Sequence, residues 1–95
     1  MTLEEIKNII SIEKPGLVNR FKIKAIAIFG SYSRGEQKSN SDIDIMVEFD
    51  APVGIEFIDL AEMLEKLLHN KVDLVSKKAI KPRLMNVIEK ELVYV

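Results

Sequence analysis

Residues 42–49 alternate without a break: Ile43, Ile45, Val47 and Phe49 interleave with Asp42, Asp44, Met46 and Glu48. Side chains two apart on a strand share a face, so this segment is a strand whose apolar set seals a core. Both aspartates then stand on the opposite face. Folding gains nothing from two like charges roughly 7 Å apart along one strand face. A divalent cation gives them a purpose. Upstream, Ile26-Ala27-Ile28-Phe29 reads as a buried strand running into Gly30-Ser31, and ten residues separate Ser31 from Asp42.

Other parts of a metal and phosphate site lie nearby. Lys71-Val72-Asp73-Leu74-Val75-Ser76 is a further short strand, and Val72 and Leu74 match the core face. That turns Asp73 the other way, as with Asp42 and Asp44. Three carboxylates on two strands could hold two cations about 3.5–4 Å apart, the spacing that clamps attacking and leaving oxygens in phosphoryl transfer. Oxygen ligands suit a hard cation, and the chain has no cysteine, so Mg²⁺ is the expected metal. Gly30 permits close approach of backbone to a phosphate. Ser31 adds a hydroxyl at the start of an expected short helix, 31–36.

Gly30-Ser31, ten residues, then Asp42-x-Asp44 resembles the signature of the DNA polymerase β-type nucleotidyltransferase superfamily. The longer string Gly30-Ser31-x-x-Arg34-Gly35 followed by Ser41-Asp42-Ile43-Asp44 is similar to its smallest members, the minimal nucleotidyltransferases (MNT). These are typically antitoxins of MNT–HEPN toxin–antitoxin pairs. The resemblance runs from about Ile26 to Ser76; members commonly carry Ala where Ser33 stands. It implies that Gly30 and Ser31, with Arg34 beside them, bind the phosphates of a nucleoside triphosphate. Asp42, Asp44 and Asp73 would be the catalytic, metal-binding carboxylates, holding two Mg²⁺ ions. Asp73 would serve the acceptor side and accept the acceptor's proton. ATP is the implied donor, and the implied acceptor is a tyrosine on a cognate HEPN ribonuclease toxin, silenced by AMPylation.

Each of these residues also has a plainer reading. A Gly-Ser pair alone is usually a turn, and Asp-x-Asp alone is often a pair of solvated carboxylates or the metal motif of some glycosyltransferases; their conjunction with a third in-phase aspartate favours the site. Arg34 is a phosphate ligand or a structural ion pair with Glu36 or a strand aspartate. Asp73 could cap a loop. His69, the only histidine, falls at a helix end, where solvation or the helix dipole explains it, and stays outside the site. Tyr32 could stack on a base, although an exposed turn tyrosine needs no function. Lys71, Lys77, Lys78, Lys81 and Arg83 form either a solvated edge or an attraction for triphosphate or an acidic partner. Three rival functions stay open: a nucleotidyltransferase for a small molecule such as an aminoglycoside, a non-catalytic antitoxin acting by occlusion, and a metal-dependent hydrolase.

The 95 residues are expected to form one domain, 1–95, of radius about 12 Å. A net charge of −1 argues against nucleic acid as the main partner. No apolar run approaches the roughly 20 residues of a membrane span, and no signal peptide is evident, so a cytoplasmic protein is expected. Thr2 caps a helix over 3–12. Pro15-Gly16 should end that pattern before a short helix through Leu17, Val18 and Phe21. Strand 24–29, strand 43–49, helix 55–69, strand 71–76 and helix 81–91 follow, with Asn70 suited to a left-handed helix end. Leu92-Val93-Tyr94-Val95 should be an edge strand or docked tail. The result is an α+β fold of order αβαβαβ, a small mixed sheet covered by helices, which the resemblance equates with the polymerase β-like fold. So short a chain leaves no room for a lid, which points to a protein partner or to a homo-oligomer.

Overall fold

The computed structural model describes residues 1–95. Helix α1 (Leu3–Phe21) leads into β1 (Ile23–Phe29), the short α2 (Ser31–Arg34), β2 (Ile43–Phe49), α3 (Glu56–Leu68) and β3 (Val72–Ser76). A 3-10 turn (Lys77–Ala79), α4 (Pro82–Ile88), a second 3-10 turn (Glu89–Glu91) and β4 (Val93–Tyr94) complete the chain. The strands form one mixed sheet in the order β3-β2-β1-β4. β1 runs antiparallel to β2 and β4, and β2 runs parallel to β3, joined through α3. The expected α+β architecture is present, with β4 as an edge strand.

The alternation read from β2 sets the layering. Ile43, Ile45 and Val47 are buried in one cluster with Ile26 and Ile28 of β1 and Leu74 of β3. Ile6, Ile10, Leu17 and Phe21 of α1 and Leu60, Leu64 and Leu68 of α3 close over that face. Met46, on the aspartates' side, is also fully buried beside its register partner Ala27. The second face is therefore not open along its length. α4 lies over it, because Ile88 and Leu84 share a cleft with Asp44 and Val75.

Two expectations about α1 and α3 need correction. α1 does not stop before Pro15; it continues to Phe21 with Pro15 inside it. Proline forfeits one backbone bond and crowds the preceding turn. Against that, Leu17 and Phe21 extend the stripe begun by Ile6 and Ile10 and bury fully, and packing outweighs propensity. At its start Thr2 caps the helix as expected, and the structure adds a reciprocal bond: the Glu5 side chain accepts from the Thr2 N–H, completing a capping box. α3 ends at a left-handed residue, but it is His69 (φ 50), not Asn70. The Asn70 side chain is committed elsewhere, donating to the Tyr32 hydroxyl at 3.2 Å and accepting from the Lys71 N–H at 2.7 Å. The helix expected over 81–91 is α4 plus a 3-10 turn. No helix is long and apolar enough to cross a membrane.

Candidate active site

β1 delivers the chain to Gly30, where the backbone takes φ 77 and ψ −153 before α2 begins. Only glycine adopts that region at little cost. A second constraint is spatial: a β-carbon on Gly30 would lie 3.0 Å from Cγ of Asp44 and closer still to its Oδ2. The missing side chain is what lets Asp44 lie against the turn. The turn closes with the Arg34 N–H donating to the Gly30 carbonyl at 3.2 Å and Glu36 N–H to Ser31 at 2.9 Å.

Sheet register supplies the carboxylates. Asp44 sits opposite Phe29 of β1 and opposite Asp73 of β3, so one row across three strands carries the site. Paired residues on neighbouring strands place their side chains about 5 Å apart. Burial first, then the charges of Asp73 and Asp42, push the Asp44 carboxyl up from 3.8 to about 6, and the closeness of the Asp73 carboxyl permits a shared proton. Arg34 counteracts this only weakly. Two carboxylates held so close repel unless a proton or cation lies between them.

Asp44, Asp73, Gly30, Ser31 and Arg34 line a single cleft of about 480 Å³. Five of the six site residues predicted from sequence are thus brought together. Asp42 is exposed, precedes the first residue of β2 and lies outside the cleft lining, although its charge reaches Asp44. The expected cluster of three carboxylates is accordingly a pair plus a separate aspartate. No three acidic or histidine side chains meet closely enough to hold a metal ion by themselves. This still fits Mg²⁺, which is usually held by one or two carboxylates together with substrate phosphates and water. The donor set is all oxygen and already strained by like charge.

The rest of the cleft was not foreseen. One wall is apolar, built from Val75, Ile80, Leu84, Val87 and Ile88, with Leu84 and Val87 more than half exposed. Glu91 also lines it and bonds to the turn. Its carboxylate accepts from the Gly30 N–H at 3.0 Å and from Arg34 Nη1 at 2.8 Å. Arg34 also donates from Nε to Glu36 at 2.9 Å, and the two carboxylates raise its pKa. Tyr32 is not an exposed turn residue: it is 3% accessible and packs in the core. His69 is exposed and does not line the cleft. Within the basic stretch, Lys77 pairs with Glu48 at 3.6 Å, so part of that charge is answered by β2.

Comparison with known proteins follows the same lines. A family described as a nucleotidyltransferase domain matches residues 5–95. The protein adenylyltransferase MntA of Thermococcus cleftensis is 46% identical over 96 residues, covering 100% of this chain and 97% of its own. Among solved structures, a toxin–antitoxin complex with AMP-PNP superposes with TM-score 0.73 at 31% identity, covering 87% of this chain and 69% of that one. The MNT antitoxin bound to tri-AMPylated HEPN toxin of Shewanella oneidensis gives TM-score 0.67 at 27% identity, covering 99% and 71%.

Proposed function

This chain belongs to the nucleotidyltransferase domain family, and from that membership we propose that it is a protein adenylyltransferase moving AMP from ATP to a tyrosine of a HEPN toxin. The observation that carries this reading is the pairing of Asp44 with Asp73 across β2 and β3, in one cleft with the Gly30-Ser31 turn. The relatives support donor and acceptor. One is named protein adenylyltransferase, one toxin–antitoxin structure carries AMP-PNP, and another contains an AMPylated HEPN toxin.

The residues divide the work by position. Ser31 presents its hydroxyl at the head of α2, where a phosphate oxygen can accept from it. Asp44 and Asp73, with Asp42 contributing from the approach to β2, would hold Mg²⁺. Bound there, Mg²⁺ supplies neutralisation of the charge on the phosphate oxygens. Asp73, the more exposed of the pair, faces the acceptor and takes the proton of the tyrosine hydroxyl. The phenolic oxygen forms its bond to the α-phosphorus as the bond to the β-phosphate oxygen breaks, and pyrophosphate leaves. The apolar wall gives a planar ring dry contact beside the reacting atoms. Catalysis of this kind is mainly positioning and charge neutralisation, so few side chains suffice.

Incubation with a cognate HEPN toxin, ATP and Mg²⁺ should raise that protein's mass by one or more AMP units and release pyrophosphate. Asp44→Asn should stop the transfer. If the variant fails to modify the toxin yet neutralises it fully at equal concentration, occlusion is the function. If the wild type instead modifies an aminoglycoside and leaves the toxin untouched, only the chemistry stands.

A further inference from the structure

Glu91 lies 61 residues from Gly30 in sequence, yet it touches the phosphate turn at three points. Its Oε1 accepts from the Gly30 N–H at 3.0 Å, its Oε2 from Arg34 Nη1 at 2.8 Å, and its carbonyl from Ser33 Oγ at 2.5 Å. The backbone of Glu91 is held independently of its side chain. β4 begins two residues later, with Val93 opposite Ile28 and Tyr94 opposite Ala27. Val95 N–H donates to Ile26 at 3.0 Å, and Lys14 Nζ donates to the Val95 carbonyl at 2.6 Å.

Arg34 is consequently gripped from two sides, Nε by Glu36 and Nη1 by Glu91, and its Nη2 bonds to no group of the chain. A free arginine loses rotamer freedom on being fixed, and here that loss is met before any ligand arrives. The grip also removes attraction: with two carboxylates on one guanidinium the local charge is negative, which a triphosphate does not favour. Whatever Glu91 adds must come from geometry.

We infer that Glu91 is a positioning residue of the nucleotide site, holding Arg34 so that Nη2 faces the cleft and meets a nucleotide phosphate. The inference rests on the nucleotide-transfer reading. It makes Arg34 both ion pair and ligand, since the plane fixed by Glu91 and Glu36 aims the remaining donor. It also assigns the Gly30 N–H to Glu91 and leaves the phosphate to Ser31 and Arg34.

Titration calorimetry of the full chain with AMP-PNP and Mg²⁺ tests this through a double-mutant cycle. Glu91→Ala should weaken binding about tenfold, at the low end of what loss of a supporting partner costs. Arg34→Ala should weaken it comparably. The double variant should bind within about threefold of Arg34→Ala alone, because Glu91 acts through Arg34. Circular dichroism melts confirm that each protein is folded at the assay temperature. Should Glu91→Ala unfold, Glu91→Gln carries the cycle, since one oxygen still serves Gly30 while the amide cannot accept from Arg34. Additive losses, or wild-type affinity in Glu91→Ala, overturn the inference. Tighter binding in either Glu91 variant overturns it too, by making Glu91 a competitor for the phosphate position. Wild type that binds no Mg·AMP-PNP removes the nucleotide reading and this inference with it.

Discussion

Gly30 and Asp44 share one volume: the carboxylate of Asp44 lies where a side chain on residue 30 would begin. The positive φ of Gly30 and the closeness of Asp44 are separate constraints, and Gly35 allows them to be separated. Gly35 has φ 71 but nothing within 4 Å of a β-carbon built on it. Gly35→Ala should therefore cost about 1 kcal/mol for the left-handed backbone alone, with nucleotide binding kept. Gly30→Ala should cost about 2–4 kcal/mol and abolish Mg·ATP binding, because Asp44 or the turn must move. Urea denaturation and calorimetry on the two variants check this. Equal stability losses, or retained binding in Gly30→Ala, would refute the shared-volume argument.

The raised pKa of Asp44 makes a prediction about pH. Its carboxyl holds a proton more tightly in the folded chain, at about 6, than at its ordinary value of 3.8. The ionised form thus opposes folding above pH 6, and that opposition fades as pH falls through the window from about 6 to 3.8. Asp44→Asn should raise stability at pH 7.5 by about 1–2 kcal/mol, the shift being discounted for a half-buried group. The gain over wild type should shrink towards zero near pH 4. In the wild type, Mg·ATP binding at pH 6 should release protons and weaken as pH drops further, because the carboxylate must be ionised to hold a cation. A stability difference that does not change with pH would show that Asp44 carries no unusual proton.

What could be read in the sequence was whatever is encoded locally. The alternation of β2, the in-phase Asp73 and the helix cap at Thr2 depend on neighbours a few residues away, and the structure places these elements as expected. Glu91 could not be read, because its meeting with Gly30 exists only once β4 pairs with β1. Tyr32 deceived for a related reason. A turn tyrosine is ordinarily exposed, but α2 leans into the core and Asn70 from the end of α3 meets its hydroxyl. Asp42 follows the alternation of β2 in sequence, but the strand begins one residue too late to hold it in the ladder.

Pro15 gives that argument a measurable edge. Pro15 sits inside α1 at an exposed position, while Leu17 and Phe21 beyond it remain buried. Restoring the backbone donor with Pro15→Ala should raise stability by about 1–3 kcal/mol, since proline costs about 3 kcal/mol in a helix interior and stiffens the unfolded chain in partial return. Thermal melts at pH 7.5 decide it. A loss of stability would mean that the helix is bent at Pro15 in a way the packing of Leu17 needs.

Asp73 separates donor from acceptor chemistry. It stands opposite Asp44 in the ladder yet is exposed on the outermost strand of the sheet, beside the part of the cleft walled by Val75 and Ile80. A residue there can serve the acceptor without being needed to seat ATP. Asp73→Asn should then leave Mg·ATP affinity within a few fold, and could even improve it by relieving the repulsion on Asp44. Transfer to the toxin should fall by at least a hundredfold, because the tyrosine proton has lost its acceptor. Single-turnover rates and calorimetry on the same preparation give the two numbers. A fall in affinity as large as that of Asp44→Asn would move Asp73 to the donor side of the site, and an unchanged rate would make it structural.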